Sequence, residues 1–491
     1  MAAAAAAAMP DDILLEILFR LKHAPAILFR CATACKRWRG LVADPAFLRR
    51  CWPDQDASSS MAGFFTQELE ATGMFNVTTP CFTPTPRSVL GPGRRTLRSF
   101  MTAAVPAGLF DRAVPLASRH GILLVRLDTY GIRGYWNSTS TIIDLAVCNL
   151  LTGVCHILPA LKFGSDFERC MWRGYAILTG TDCPPSSTDE PSNSSSLFKV
   201  VIIGYDQNYA GTCTLHTFSS DEASWRVGTH GFDSLAQPNM HGSSCRAVVH
   251  RGTAHWLFSR YGEPYVGVLD LNMRTGQVTA TTLPIAMCFH PDSHLFINLA
   301  ARTTTLSMFC MQKRGTQLEI WEQREEQPNE DRGSAWICTS TVELKQPWEK
   351  TENEARELYV LGDKCGTLLV NDTIQGVYTA DLQTGVMEEV LDWPHRSYIN
   401  PMETVPLELD WPSIFASRLD TRFLIDGRHD AFAGRVDAKV GSLISLNRAK
   451  DDTFLFLKEL ARHKLAGKQP MADLFHCSSK RNESLQSFMR L

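Results

Sequence analysis

The strongest constraint on the fold is a short unit that occurs three times. Each copy opens with a glycine ahead of an apolar run and closes in a Thr-Gly turn. The first runs from Arg119-His120-Gly121-Ile122-Leu123-Leu124-Val125 to Asn149-Leu150-Leu151-Thr152-Gly153. The second runs from His250-Arg251-Gly252-Thr253-Ala254-His255-Trp256-Leu257 to Asp270-Leu271-Asn272-Met273-Arg274-Thr275-Gly276. The third runs from Lys364-Cys365-Gly366-Thr367-Leu368-Leu369-Val370 to Asp381-Leu382-Gln383-Thr384-Gly385. Glycine reaches the positive φ of a tight turn without strain, and the Asn or Asp ahead of it can accept from turn amides.

A second unit alternates with the first and carries tryptophan near its end. Phe198–Ile203 and Leu215–Ser220 precede Trp225-Arg226-Val227; Leu306–Cys310 and Leu318–Trp321 precede Trp336-Ile337-Cys338. Stripped of loops, each unit has the size of a four-stranded propeller blade, about 40–50 residues. One blade cannot cover both of its faces, so neighbours must stack and close into a ring. The expected fold is therefore mainly β, a β-propeller of roughly six blades over residues 63–446. Gly63–Val114 and Ser413–Leu446 are expected to supply the strands outside the repeats. A large β-sandwich is the alternative, although it has no need of the alternation.

The first fifty residues follow another rule. Pro10 suits a first helical turn, and Asp11 and Asp12 face the positive end of the helix dipole. Ile13, Leu14, Ile17, Leu18 and Leu21 then form one apolar stripe. Lys22-His23-Ala24-Pro25 interrupts it. A second helix is expected to turn Ile27, Leu28, Cys31, Ala34 and Cys35 inward and to continue through Trp38 to Val42. Asp44-Pro45 caps a third, Ala46–Arg50. Three short helices bury little surface alone, so the stripe is covered either by the rest of the chain or by a partner.

Met9-Pro10-Asp11-Asp12-Ile13-Leu14-Leu15-Glu16-Ile17-Leu18, Leu28-Phe29-Arg30-Cys31, Cys35-Lys36-Arg37-Trp38-Arg39 and Asp44-Pro45-Ala46-Phe47-Leu48 closely resemble the F-box, in order and in spacing. The resemblance implies a three-helix F-box over residues 9–51 that docks on a Skp-type adaptor and, through it, a cullin. It implies that Pro10, Ile13, Leu14, Ile17 and Leu18 line the adaptor contact from the first helix and Leu28 and Arg30 from the second, with Trp38 anchoring the helical core. The sequence departs from the family where Lys22-His23-Ala24-Pro25 follows Leu21 in place of Leu-Pro. Together with Gly63-Phe64-Phe65, Val147–Gly153 and Val248–Gly252 with His255-Trp256-Leu257, the whole resembles plant F-box proteins carrying a propeller-like associated domain. Leu150 stands where that group often has proline.

Around these parts lie an Ala-rich leader (1–8), expected to be disordered, a polar linker (52–62) and a C-terminal tail (447–491). Phe454, Leu457, Leu460, Ala461 and Leu465 give the tail near-helical spacing. Cys183–Ser196, rich in Pro and Ser, is expected to be a mobile loop. Lys and Arg number 49 against 52 Asp and Glu. That balance speaks against phosphate-neutralising nucleic-acid binding and against a polybasic membrane surface. No apolar run reaches about 18 residues, as a membrane-spanning helix requires. The 15 cysteines, an odd number without regular spacing, fit reduced thiols in cytoplasm or nucleus.

Chemistry-bearing motifs are missing. There is no phosphate loop, nucleophile elbow or His-Glu-x-x-His pair. Gly91-Pro92-Gly93 lacks the third glycine of a dinucleotide site. Cys31 and Cys35 suit small core positions, while Cys288-Phe289-His290 and His476-Cys477 lack partners at zinc spacing. His250 and His255 are expected to be structural, and Glu322–Asp331 a solvated loop. No cofactor or metal is expected, and no catalytic residue.

The resulting expectation is a substrate-recognition subunit of a Skp–cullin–F-box ubiquitin ligase, with a target protein bound by the propeller. Tyr130, Arg133, Tyr135 and Trp136 are candidate loop contacts. An adaptor-bound scaffold or decoy without ligase activity is the alternative, and a propeller hydrolase or lyase a distant third.

Overall fold

The computed structural model describes residues 10–419 except 23–24, 53–58, 67–78, 87, 89, 91–92, 128–141, 163–172, 181, 183–197, 206–211, 232–237, 240–245, 261–265, 284–294, 302–304, 313–315, 324–335, 348–357, 365, 373–375 and 391–403. The Ala-rich leader, the Pro/Ser stretch, the candidate loop contacts, the C-terminal tail and the cysteines and histidines at 288, 290, 476 and 477 lie outside them. The described residues divide into two units, a helical one at the N-terminal end, up to Leu48, and a β one from Arg49 to Ser417.

The β unit is a six-blade propeller of four-stranded antiparallel sheets. Blade two runs Val114–Arg119, Ile122–Leu127, Ile142–Asn149 and Val154–Ile157, with Leu161–Lys162 extending its outer edge. Blade three runs Arg173–Thr179, Phe198–Tyr205, Thr212–Ser219 and Ser224–Gly231. In blade four the innermost strand is in two pieces, Pro238–Asn239 and Val248–His250, both paired to Thr253–Arg260; Val266–Asn272 and Val278–Thr282 follow. Blade five begins at Leu295–Ala301 and ends at Trp336–Glu343, and blade six runs from Leu358–Lys364 to Met387–Glu389.

Blade one is composite. Ser59–Thr66, Cys81–Pro84 and Arg95–Thr96 come from the start of the unit, and the innermost strand is Val405–Asp410 from its end, paired antiparallel to Ser59–Thr66. Two expectations are corrected here. The closing strand lies before Ser413–Leu446: Ser413 falls in the helix Trp411–Leu419, and residues from 420 onward are outside the described set. The first strand also starts inside the supposed polar linker, because pairing with Val405–Asp410 outweighs the weak strand propensity of Ser59 and Ser60. Trp52 stacks on Phe415 of the terminal helix, ring centroids 5.6 Å apart, so the ends of the unit are joined a second time.

Hydrophobic cores fill the spaces between successive blades. Phe65, Phe82 and Phe100 meet Leu123, Val125 and Cys148 between blades one and two. Leu124, Leu145 and Val147 meet Ile177, Val200 and Ile202 in the next space, and Val201 and Ile203 meet Trp256 and Phe258 in the one after. Alternate residues of one strand thus enter cores on opposite sides. Both faces are covered, which is why the second strands read as unbroken apolar runs.

The repeats prove to be two interlocked turns. Gly121, Gly252 and Gly366 have φ of 79°, 74° and 74°, each in the turn between a first and a second strand. Their carbonyls accept from the amides of Leu150, Met273 and Leu382 at 2.9–3.0 Å. Those residues sit in the turn between third and fourth strands, where Asn149, Asn272 and Asp381 each accept two amides through Oδ1 at 2.8–3.1 Å. The glycine of each Thr-Gly donates back to the same residue's carbonyl at 2.8 Å.

The turns are alike inside and differ outside. At Gly276, with φ of 70°, nothing lies where a Cβ would go, whereas at Gly385, with φ of 69°, the Glu343 carbonyl oxygen occupies that place. Gly276→Ala is expected to cost about 1 kcal/mol, the left-handed penalty alone. Gly385→Ala is expected to cost about 3 kcal/mol or more, since the backbone between blades five and six must also move. Urea midpoints of the two variants check the contrast; equal losses would refute it.

Candidate functional site

Four helices are described at the N-terminal end, α1 (Asp11–Arg20), α2 (Pro25–Ala34), α3 (Lys36–Ala43) and α4 (Pro45–Cys51), the last running past the unit boundary at Leu48. Asp11 and Asp12 occupy the first turn of α1, and Asp11 Oδ1 takes an ion pair from Arg37 Nη2 at 2.6 Å. Asp44 Oδ1 accepts from the Ala46 amide at 2.8 Å, the expected cap of α4. The expected second helix is split. Cys35 leaves helical geometry (φ −158°), and its Sγ accepts from the Trp38 amide at 3.5 Å, capping α3. Ala34 and Cys35 are consequently exposed rather than inward, and so is Ile27.

The seven residues expected at an adaptor contact divide into two sets. Leu14, Ile17, Leu18 and Leu28 are buried within the chain, the last two at 1% and 0% exposure, alongside Cys31, Val42, Phe47 and Leu48. Pro10, Ile13 and Arg30 are exposed. The apolar ridge is therefore not bare along its whole length. What it offers solvent is Ile13 (42% exposed), and the large apolar residue that α2 exposes is Ile27 (39%). Sequence reading missed Ile27 by turning it inward. It adjoins Leu28, and only the neighbouring packing decides which of two adjacent apolar residues faces in. Trp38 is half-buried.

A second polar assembly lies where the innermost strands of the propeller end. Arg119, the last residue of its strand, pairs with Asp182 Oδ1 at 2.7 Å and lies 3.7 Å from Glu408 Oε1. Lys364, ending the innermost strand of blade six, reaches Glu408 Oε2 at 3.2 Å. The His120 amide donates to Glu408 Oε1 at 3.2 Å, and its Nδ1 lies 3.0 Å from Thr179 Oγ1. Asp182 Oδ2 also accepts the Thr179 amide at 2.9 Å. Four blades are joined in this way, and Arg246 of blade four donates to the Leu361 carbonyl of blade six at 3.2 Å.

Burial by itself would raise the Glu408 carboxyl; Lys364 first, then Arg119 and His120, reverse this and hold it far below the carboxylate range. Burial likewise works against Asp182, and Arg119 outweighs it, so that carboxyl also stays low. His120 is pushed down by burial and by Arg119, against the pull of Glu408 and Asp182, so it sits as neutral imidazole. Opposite charges are matched inside the cluster, and its chemistry is that of a clasp. His255 is bonded through Nδ1 to Asp270 at 2.7 Å, its cross-strand partner in blade four. His250 lies at the end of the blade-four innermost strand. Among the described residues no three His, Cys, Asp or Glu side chains are placed to hold a metal ion, and no helix is long and apolar enough to cross a membrane.

A family model described as F-box-like matches residues 6–52. No curated protein matches the sequence. Solved structures with some likeness include the periplasmic gluconolactonase PpgL of Pseudomonas aeruginosa, at 9% identity over 67% of this chain and 82% of that one, TM-score 0.33. Others are apo AztD of Citrobacter koseri, at 9% identity over 67% and 81%, TM-score 0.30, and Sqt1 of Saccharomyces cerevisiae, at 10% identity over 61% and 96%, TM-score 0.26. At these scores none bears on what the chain does.

Proposed function

We propose that this chain is the substrate-recognition subunit of a Skp–cullin–F-box ubiquitin ligase, of the kind resembled by plant F-box proteins with a propeller-like domain. The carrying observation is the F-box-like segment at 6–52, followed by a six-blade propeller. The helical unit takes a Skp-type adaptor through Pro10, Ile13, Ile27 and Arg30, and the propeller holds a target protein. Such a receptor needs no catalytic residue or cofactor. By tethering the target it raises the effective concentration of target lysines near a ubiquitin-charged carrier. The 15 cysteines, odd in number and without regular spacing, support a reducing location, cytoplasm or nucleus.

Co-purification with a Skp-type adaptor tests the reading. Ile13→Asp and Ile27→Asp are each expected to weaken adaptor binding about 30-fold, the loss of a roughly 2 kcal/mol contact, with helicity unchanged. Leu18→Asp places a carboxylate among buried side chains and is expected to unfold the helical unit instead. Absence of adaptor from the complex, or wild-type binding by both isoleucine variants, would overturn the proposal. Adaptor without cullin or ubiquitin transfer would turn it into a scaffold.

A further inference from the structure

Blade two carries two thiols that neither the clasp nor the adaptor surface uses. Cys148, on the third strand, and Cys155, on the fourth, are direct cross-strand partners. Their sulfurs are 3.8 Å apart, with the Cys148 thiol donating to Cys155 Sγ. Cys148 is fully buried in the core shared with Phe65, Phe82 and Phe100, whereas Cys155 is half-buried and packs on the edge of that core.

Directly opposed residues of antiparallel strands have Cα atoms about 4.5–5.5 Å apart, inside the range a disulfide spans. Side-chain rotation alone can therefore close the gap, and the strands need not move. The intervening Asn149–Gly153 turn is held by three hydrogen bonds to Asn149, so the pairing is fixed. The two sulfurs are also unlike. The hydrogen bond from Cys148 lowers the Cys155 thiol, against some opposition from burial. The same bond and burial push Cys148 well up. Elsewhere burial raises Cys31 to about 11 and Cys213 to about 12, which leaves those thiols inert.

We propose that Cys155 and Cys148 are the attacking and resolving thiols of a reversible, peroxide-driven disulfide. The Cys155 thiolate attacks one oxygen of hydrogen peroxide and the O–O bond breaks. Hydroxide leaves and takes up the thiol proton as water, and Cys155 becomes a sulfenic acid. The Cys148 sulfur then attacks the Cys155 sulfur, and the hydroxyl departs with the Cys148 proton as a second water. Two thiols and one peroxide give one disulfide and two waters; two electrons pass from sulfur to oxygen. A thiol reductant reverses the step by exchange.

The bond would shorten the sulfur separation to about 2.05 Å beside an outer strand that exposes Val154 (41%) and Ile157 (57%). Just before that strand, the Gly153 carbonyl accepts from the Thr102 amide at 3.0 Å. Oxidation is therefore felt both at an exposed apolar edge and at the join between blades one and two.

The test treats the reduced full-length chain with a slight excess of hydrogen peroxide, using glutathione in the same tube as a reference thiol. Peptide mass spectrometry is expected to find the 148 and 155 peptides joined with loss of two hydrogens before half the glutathione is oxidised, and separated again by dithiothreitol. Cys148→Ser is expected to leave a sulfenic acid at Cys155 that dimedone traps, and Cys155→Ser to leave Cys148 unmodified. Cys148→Ala serves in place of the serine variant if a buried hydroxyl prevents folding. No joined peptide after the glutathione is fully oxidised, or dimedone labelling of Cys148 in Cys155→Ser, would overturn the proposal. Adaptor binding plays no part in either outcome.

Discussion

Glu408→Ala is expected to lower the stability of the propeller unit by about 3–5 kcal/mol, the range for breaking a buried ion pair from one side. Glu408 sits on the closing strand, its side chain 5% exposed, between Arg119 at 12% and Lys364 at 26%. Removing it takes one carboxylate from Arg119, the ion pair from Lys364 and an acceptor from the His120 amide. Glu408→Gln keeps the shape and an acceptor oxygen, so a smaller loss is expected. Urea unfolding of both variants measures the difference. An unchanged midpoint for Glu408→Ala would mean that the clasp contributes nothing to closure.

The same cluster sets a pH dependence. Glu408 and Asp182 have depressed folded values, so their contribution is complete above the unfolded carboxylate range near pH 4 and is lost as pH falls through the lower folded values. His120 has a depressed value of the opposite charge type. Below about pH 6.5 the unfolded chain takes up a proton that folded His120 refuses, and stability starts to fall there. Wild type should lose stability in two stages on acidification. Glu408→Ala should show a shallower second stage. A single stage in wild type would contradict the assignment of His120 as neutral.

Trp256→Ala is expected to cost about 3–5 kcal/mol, the range for truncating a fully enclosed aromatic residue. Trp256 is 0% exposed in the core between blades three and four. Gly174, on the innermost strand of blade three, leaves room for it: a Cβ there would lie 2.6 Å from Trp256 Nε1 and 2.7 Å from Ile203 Cγ2. Among the described residues the indole N–H has no hydrogen-bond partner, so Trp256→Phe sheds an unsatisfied donor and should cost clearly less than the alanine change. Gly174→Ala should be destabilising in wild type by about 1–3 kcal/mol and milder in the Trp256→Ala background. Thermal melts of the four chains form the cycle, and strict additivity would show that the two residues do not meet.

What could be read in advance follows the range of the interaction responsible. The Asn149, Asn272 and Asp381 turns were legible because one side chain and one glycine fix them within five positions. The apolar runs at Ile122–Val125 and Phe198–Ile203 were legible because strands covered on both faces are apolar throughout. The closing strand was not. Val405-Pro406-Leu407-Glu408-Leu409-Asp410 carries a proline and two carboxylates, and its burial depends on Ser59–Thr66, Arg119 and Lys364, all remote in the sequence. The Cys35 break was missed for the converse reason, since no glycine or proline marks it and a thiol supplies the cap. In the helical unit the apolar stripe was visible, but which members face solvent was not, because that depends on packing beyond the stripe itself.

Completion of the first blade by Val405–Asp410 imposes an order on biosynthesis. At ribosomal speeds of roughly 5–20 residues per second, about 20–70 s separate the appearance of Ser59 from that of Val405. Throughout that interval the nascent polypeptide carries one sheet with an unsatisfied rim, and the Glu408 carboxylate that joins Arg119 and Lys364 is not yet made. Chaperone occupancy on translating ribosomes should accordingly persist until this last segment clears the exit tunnel, and a message truncated shortly before codon 405 should yield a product that is cleared rather than one that folds with five-sixths of its stability.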